Sequence, residues 1–511
     1  MDAVTTSIAR LQLALDDDRI PWISTIHVLL LSVLAFELFV SLRQLRQYRK
    51  PAPPPTLAPH VSLETFEKSR AYGRDKLRFS LVTMVLEWAL AATLISLHAY
   101  ARVWNVAGHV MTLLGYKSDG EIPHSLLFLL ISQLITSVPM LPVSLYRHFV
   151  LEEKHGFNKM TLGTFFIDGV KEWFVGVCLV GPLMAGLIKL IRWAGDGFVA
   201  YVVVFLFAFQ IIAMVLYPTL IQPLFNKLTP LPEGALRDRV VALARQLKFP
   251  LKSIYVIDGS KRSAHSNAYF YGAIPGGSKH IVIYDTLIEK STPDEIEAVL
   301  AHELGHWAHS DPAKLLTLGQ MQIVLSMSLF TLFIHNASLF RAFGFNLSTT
   351  AGIAAKISEA SHQITGTINA ASSVQVGYLP IVIGFELFQL VLSPTDSLLK
   401  FAINAAVRRM EYAADRFAAL QPRAPATEAE KRAAEVYNAN DVLPGEKPVD
   451  VHDKESYITL LGRALIKLHV QNLATMHHDP LYSAYHYSHP SLAERLSELE
   501  KIEARQAKKA E

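Results

Sequence analysis

Residues 302 to 306 read His302-Glu303-Leu304-Gly305-His306, the H-E-x-x-H pattern. On a helix, two imidazoles four residues apart share one face and can reach a single ion, while the glutamate between them stands beside that ion rather than on it. The chemistry this spacing suits is peptide-bond hydrolysis. Zinc lowers the pKa of a bound water to about 7, and a neighbouring carboxylate, here Glu303, takes its proton as it attacks the carbonyl. The pentapeptide also arises by chance, so its context has to decide.

A catalytic zinc needs a third protein ligand and an open position for water. His309 and Pro312 exclude the H-E-x-x-H-x-x-G-x-x-H pattern. The one cysteine, Cys178, lies in an apolar stretch, so there is no intramolecular disulfide and no thiolate cluster, and any metal must be held by His and carboxylate. A distant carboxylate in Glu411-Tyr412-Ala413-Ala414-Asp415 suits the third position. Glu411 and Asp415 fall on one helix face, so Glu411 could bind the ion while Asp415 accepts a hydrogen bond from a ligand imidazole and fixes its tautomer. The plainer alternative is a solvated helix face shared with Arg408, Arg409 and Arg416.

The elements that position these residues can be read from local pattern. Thr292, Pro293 and Glu295 form a strong helix start, with an N-cap, a first-turn proline and a capping-box glutamate, so the motif rides on a helix. Before it, a helix is expected near 234–247 and β-strands at 253–258, 267–272 and 280–285, with a turn at Pro275-Gly276-Gly277-Ser278 that should pair the last two as a hairpin. This is a small α+β unit. Residues 51–59 (PAPPPTLAP) read as a stiff extended linker, and 421–454 as a polar, mobile insertion.

The rest of the chain is built for lipid. Of its 511 residues, 51% are hydrophobic, and the mean hydropathy is +0.26. About seven apolar runs, near 24–41, 79–99, 123–146, 172–192, 198–221, 314–335 and 377–399, approach the roughly 20 residues that a helix needs to cross a bilayer. Helices are required there, because no water satisfies open backbone groups in the hydrocarbon. The fold class is therefore mainly α, a polytopic membrane protein carrying a small α+β protease unit. The expected division is 1–221 with five spans, 222–313 with the motif helix, 314–399 with spans six and seven, and 400–511 with the third ligand. The small net charge of +3 and its scattered basic clusters exclude a nucleic-acid partner. The first 22 residues, polar and containing Asp16, Asp17 and Asp18, do not read as a cleaved leader.

Basic residues between the first two runs, including Arg43, Arg46, Arg49, Lys50, Arg74 and Lys76, place that connection in the cytosol and the N-terminus in the lumen. Seven crossings then put 222–313 and 400–511 on the cytosolic side and the loop near 336–376 in the lumen. That loop holds two glycosylation-like triplets, at Asn336 and Asn346. Lys508 and Lys509 resemble a dilysine signal for return to the endoplasmic reticulum, the alternative being a charged helical tail. Glu37, Glu87 and Glu386 fall within apolar runs, where a charge is costly. Either they face a hydrated chamber that opens onto the metal site, or Glu37 snorkels and the others pair with Gln133, His98 or basic side chains.

Taken together, Glu152 to Lys159 (EEKHGFNK), Pro223 to Lys227 with Pro230-Leu231-Pro232, His265 to Gly272 (HSNAYFYG), His302 to Trp307, Glu411 to Asp415, and His486 to Pro490 (HYSHP) with Glu494-Arg495 resemble the type 1 CAAX prenyl proteases. These are integral-membrane zinc endopeptidases of the endoplasmic reticulum, and the resemblance runs through most of the chain. It implies zinc ligands at His302, His306 and Glu411, Glu303 as catalytic glutamate, and Asn267, His489 and Arg495 lining the active site. It also implies a chamber among the seven helices. Several relatives have a polar group where this chain has Ala413, and the residues after Trp307 vary. On residue type alone a histidine placed like His489 is more often a surface or packing residue than an oxyanion donor, and Asn267 is either a turn residue or the start of a strand to whose edge a substrate peptide adds.

The implied activity is removal of the last three residues of C-terminally prenylated CAAX proteins, whose prenyl chain partitions into lipid. The same zinc site would serve a quality-control peptidase acting without prenyl specificity. A membrane scaffold or transporter with an accidental motif is the reading from another class.

Overall fold

The computed structural model describes residues 2–116, 120–272, 277–345, 379–422 and 455–510. Six helical stretches among them are long and apolar enough to cross a membrane. Five are single helices: α2 (Trp22–Gln47), α3 (Leu63–Ser96), α5 (Glu121–Tyr146, continuing as a π-helical turn to Glu152), α12 (Asp311–Phe330) and α14 (Ile381–Ala419). The sixth, Leu162–Phe225, has 64 residues and would be about 96 Å long if straight, far more than one bilayer. It turns back at Gly195–Gly197, where Gly195 has a φ of 55°. This divides it into α6 (Leu162–Ala194), α7 (Phe198–Leu216) and a short α8 (Gln222–Phe225). The two long arms lie side by side. A Cβ on Gly186 would meet the Phe205 ring at 2.6 Å, and the Trp193 and Tyr201 rings stand 5.1 Å apart. Seven crossings result, matching the apolar runs.

The connections far from the motif are more helical than the sequence suggests. The polar lead forms α1 (Asp2–Leu15), and the stretch between the second and third apolar runs forms α4 (Ala99–Leu113). Arg192 at the end of α6 grips Glu121 at the start of α5 at 2.7 Å, and Glu121 accepts the Ile381 amide at 2.9 Å. Asn336 caps α13 (Ala337–Ala342) and donates to the Leu15 carbonyl at 2.8 Å. It is 2% exposed, which corrects its reading as a glycosylation acceptor. Asn346 lies outside the described residues.

On the other side of the membrane region, β1 (Leu228–Pro230), α9 (Ala235–Gln246), β2 (Leu251–Ile257), β3 (Ala268–Tyr271), β4 (Lys279–Tyr284) and α10 (Asp285–Lys290) lead to α11 (Pro293–Ala308). The sheet order is β1-β2-β4-β3, with β2 parallel to β4 and both outer pairs antiparallel. The expected hairpin is β3 and β4, although most of its turn lies outside the described residues. β1 is an addition. The sheet packs on α11, and α11 in turn on the end of α14 and on α15 (Tyr457–Gln471), while α17 (Leu492–Ala510) packs on α14 and α15. Leu300, Leu304, Ile281, Leu460 and Leu461 are buried in this shared core.

The 51–59 segment is not an extended linker. The Leu57 and Ala58 amides both donate to the Pro54 carbonyl at 2.9 Å, and Leu57, 1% exposed, belongs to the same core. Pro54 and Pro55 fix φ angles in this turn but do not dictate extension when an apolar side chain beyond them has a cavity to fill. Of the expected 421–454 insertion, residues 423–454 lie outside the described residues.

Candidate metal centre

The capping box that begins α11 is complete. Thr292 accepts from the Glu295 amide at 3.2 Å, and Glu295 accepts from the Thr292 amide at 2.8 Å. Buried ion pairs hold the helix from behind: Arg239 of α9 pairs with Glu297 and with Asp294, each at 2.7 Å, and the Tyr457 hydroxyl donates to Glu297 at 2.7 Å. With its outer face fixed, α11 presents His302 and His306 to α14. The two backbones approach closely at Gly305, where a Cβ would sit 3.0 Å from Ala414 Cα and 3.1 Å from its carbonyl oxygen.

That approach brings the donor atoms together. One ligand atom each from His302, His306 and Glu411 can be chosen so that all lie within 4.8 Å of one another. His302 Nε2 is 3.5 Å and His306 Nε2 3.3 Å from the two Glu411 oxygens. Each imidazole has a carboxylate behind it: His302 Nδ1 is 2.9 Å from Asp415 Oδ1, and His306 Nδ1 is 2.9 Å from Asp311 Oδ2. These contacts assign the ring protons to Nδ1 and turn the Nε2 lone pairs toward Glu411. Lone pairs facing a carboxylate repel unless a cation lies between them, and the Glu411 Oε2 atom is buried with no hydrogen-bond partner. The residues therefore fit a metal ion. A proton would answer the same demand: burial and the Arg495 charge oppose protonation of His302, yet the Asp415 and Glu411 carboxylates beside the ring outweigh them and lift its pKa to about 9.

Glu411 and Asp415 are 3% and 1% exposed, so the solvated-face reading of this segment does not hold. Arg495 of α17 is also buried. Its Nε donates to Asp415 Oδ2 at 2.8 Å and its terminal nitrogen to Oδ1 at 2.6 Å, while the other nitrogen stands 3.9 Å from Glu411. Arg495 thus reaches His302 both through Asp415 and directly, its terminal nitrogen 3.3 Å from His302 Nδ1. Glu303 is half-buried beside the imidazoles, and burial pushes its carboxyl above the ordinary range against the pull of the His302 and His306 charges.

His489 lies between α16 (Pro480–His486) and α17, with Nε2 3.2 Å from Glu411 Oε1 and its side chain 63% exposed. Arg408 of α14 donates to the His489 carbonyl at 3.2 Å and to Glu494 at 2.8 Å, tying that loop to the helix carrying Glu411. Asn267 is exposed just before β3, the edge strand of the sheet, and its side-chain oxygen accepts from the Ala268 amide at 2.8 Å. Among the described residues it makes no hydrogen bond to the cluster.

Asp311 is the member that the sequence pattern missed. Its only signal is an aspartate before a proline at the start of a membrane helix, five residues after His306. Of the intramembrane acids, Glu37 does not snorkel: it accepts from the Tyr485 hydroxyl at 2.8 Å and lies 3.2 Å from His486 Nε2, so α2 braces the segment that leads to His489. Glu87 is exposed and Glu386 half-buried.

Residues 44–227 match the family described as CAAX prenyl protease N-terminal, five membrane helices, and residues 230–503 match peptidase family M48. The chain is 36% identical over 496 residues to CAAX prenyl protease 1 of Saccharomyces cerevisiae, covering 96% of this chain and 98% of that one. It is 32% identical over 507 residues to the human CAAX prenyl protease 1 homolog, covering 92% and 93%. The crystal structure of S. mikatae Ste24p matches with a TM-score of 0.76 and 35% identity, covering 94% of this chain and 99% of that one.

Proposed function

The chain belongs to the CAAX prenyl protease 1 group of the M48 metallopeptidases, and on that premise we propose that it removes the C-terminal three residues of prenylated CAAX proteins at a zinc site formed by His302, His306 and Glu411. The observation that carries the proposal is the convergence of those three donor atoms within 4.8 Å beside Glu303. Two imidazoles and a carboxylate, with no thiolate, suit zinc and leave a position for substrate.

When bound, the ion supplies Lewis acidity toward water and the scissile carbonyl. Glu303 takes the proton from the attacking water and passes it to the leaving amine. Asp415 and Asp311 keep both imidazoles in the Nδ1–H tautomer, and Arg495 holds Asp415. His489, exposed on the open side of Glu411, donates toward the oxygen that becomes negative. The free edge of β3 and Asn267 receive the substrate backbone as an added strand.

The protein spans the membrane several times. The basic connection between α2 and α3 sets its orientation, with the metal centre cytosolic, in the membrane of the endoplasmic reticulum. The fourfold division at 221, 313 and 399 accompanies this orientation, the second and fourth parts building the centre. The test is incubation of the detergent-purified chain with a farnesylated CAAX peptide and its unprenylated counterpart. Release of the terminal tripeptide from the farnesylated peptide alone is expected; equal cleavage of both, or of neither, overturns the substrate assignment.

A further inference from the structure

Away from the metal centre, a cavity of about 660 Å³ opens where α6 begins, between the segment before that helix, the connection from α8 to β1, and the turn after β2. Four cations line it, Lys159, Lys227, Lys261 and Arg262, against a single lining acid, Asp258. Lys261 pairs with Asp258 at 2.6 Å, and Arg262 with Asp168 at 2.8 Å. Lys159 and Lys227 are exposed and have no acid within 4.0 Å among the described residues. Main-chain contacts fix the walls: the Lys159 amide donates to the Arg262 carbonyl at 3.2 Å, the Lys227 amide to Asp258 Oδ1 at 2.7 Å, and Asn158 bridges Ser263. The cavity is therefore a built feature with two uncompensated positive charges.

Its place in the fold indicates what would compensate them. Ile167 and Phe174 on α6, Leu220 just after α7 and Leu224 on α8 are exposed apolar side chains, 58%, 62%, 59% and 44% accessible, and none of them lines the cavity. In a chain that crosses a membrane, such side chains meet acyl chains, and the basic residues just beyond them stand at the level of the headgroups. We propose that this cavity binds the phosphate-bearing headgroup of an anionic phospholipid whose chains lie along α6 and α7. Thr164, in the first turn of α6, adds a hydroxyl to the same wall.

Native mass spectrometry of the detergent-purified full chain with added phosphatidic acid, beside phosphatidylcholine, tests this. One phosphatidic acid per chain should be retained in preference to phosphatidylcholine. The pair Lys159→Gln and Lys227→Gln should weaken retention by about fivefold per lysine, roughly 25-fold together. The control pair Lys508→Gln and Lys509→Gln, in the exposed tail, should leave it unchanged, with metal content reporting an intact fold. Equal retention by the Lys159/Lys227 variant overturns the proposal. Displacement of the lipid by equimolar inorganic phosphate, or by a farnesylated peptide with a free C-terminal carboxylate but not by its amide, also overturns it, giving the cavity to a soluble anion or to the substrate.

Discussion

Replacing Asp311 by asparagine probes the one member of the metal centre that no pattern announced. Asp311 is 2% exposed, with Oδ2 2.9 Å from His306 Nδ1 and Oδ1 2.9 Å from Lys314 Nζ. Its place in the first turn of α12 sets the positive end of the helix dipole beside the carboxylate, together with the Lys314 charge. An ionised partner strengthens the Nδ1–H donor and makes the opposite nitrogen a better metal ligand. Asparagine keeps the volume and one acceptor but removes the charge. It can also turn its amide nitrogen to the ring, which would move the ring proton to Nε2, where the metal has to bind. Loss of such an outer partner costs roughly 10- to 100-fold in metal affinity, or about 1.4 to 2.7 kcal/mol. The tautomer effect places the expected loss toward the upper end. Chelator competition on the full chain in detergent measures it, with the melting temperature as a check on folding. An unchanged affinity in a variant that melts like the parent would refute the role given to Asp311, and Lys314→Gln, which removes only the supporting charge, should lose less than tenfold.

Gly305→Ala places a methyl group 3.0 Å from the Ala414 backbone, so α11 and α14 must separate and metal affinity should fall, whereas Gly462→Ala, with 3.6 Å to its nearest neighbour, should leave affinity unchanged; both are read by the same chelator titration. Arg495→Gln leaves Asp415 buried without its charge partner, and removal of one member of such a pair destabilises by about 3 to 5 kcal/mol; a melting temperature equal to the parent's would contradict the pairing. Burial pushes the pKa of both His469 and His478 down to about 4, below the ordinary 6.5. Their neutral forms therefore support the fold fully above pH 6.5, and that support is lost as pH falls from 6.5 through about 4, because the unfolded chain binds the protons first. His469→Gln should flatten the fall of the melting temperature over that window, and an unaltered slope would count against the linkage.

Much of this was legible in the sequence because it rests on local periodicity and capping. Seven apolar runs, the Thr292 capping box and the β3–β4 hairpin follow from patterns within short windows of chain. The two histidines of the candidate donor set stand at helical spacing within one short motif, whereas Glu411 was singled out by residue type and by the resemblance, with a solvated helix face as the alternative. What escaped depends on long-range packing. β1 is three residues long and exists because β2 offers it an edge. The turn at Leu57 is specified by a distant core, and Asn336 reads as a surface acceptor until the α1 end covers it. Arg239, Glu297 and Tyr457 come from three separate helices and carry no signature of their mutual contact. Asp415 was found because it shares a helix face with Glu411, whereas Asp311 begins the next helix and meets His306 only through the fold.

The most direct test of the central claim is metal content measured together with peptidase activity in the parent, Glu303→Gln and Glu411→Gln. The geometry predicts one zinc per chain in the parent, zinc retained with activity abolished in Glu303→Gln, and zinc lost in Glu411→Gln. Persistence of both zinc and activity in Glu411→Gln, or undiminished cleavage by Glu303→Gln, would contradict it.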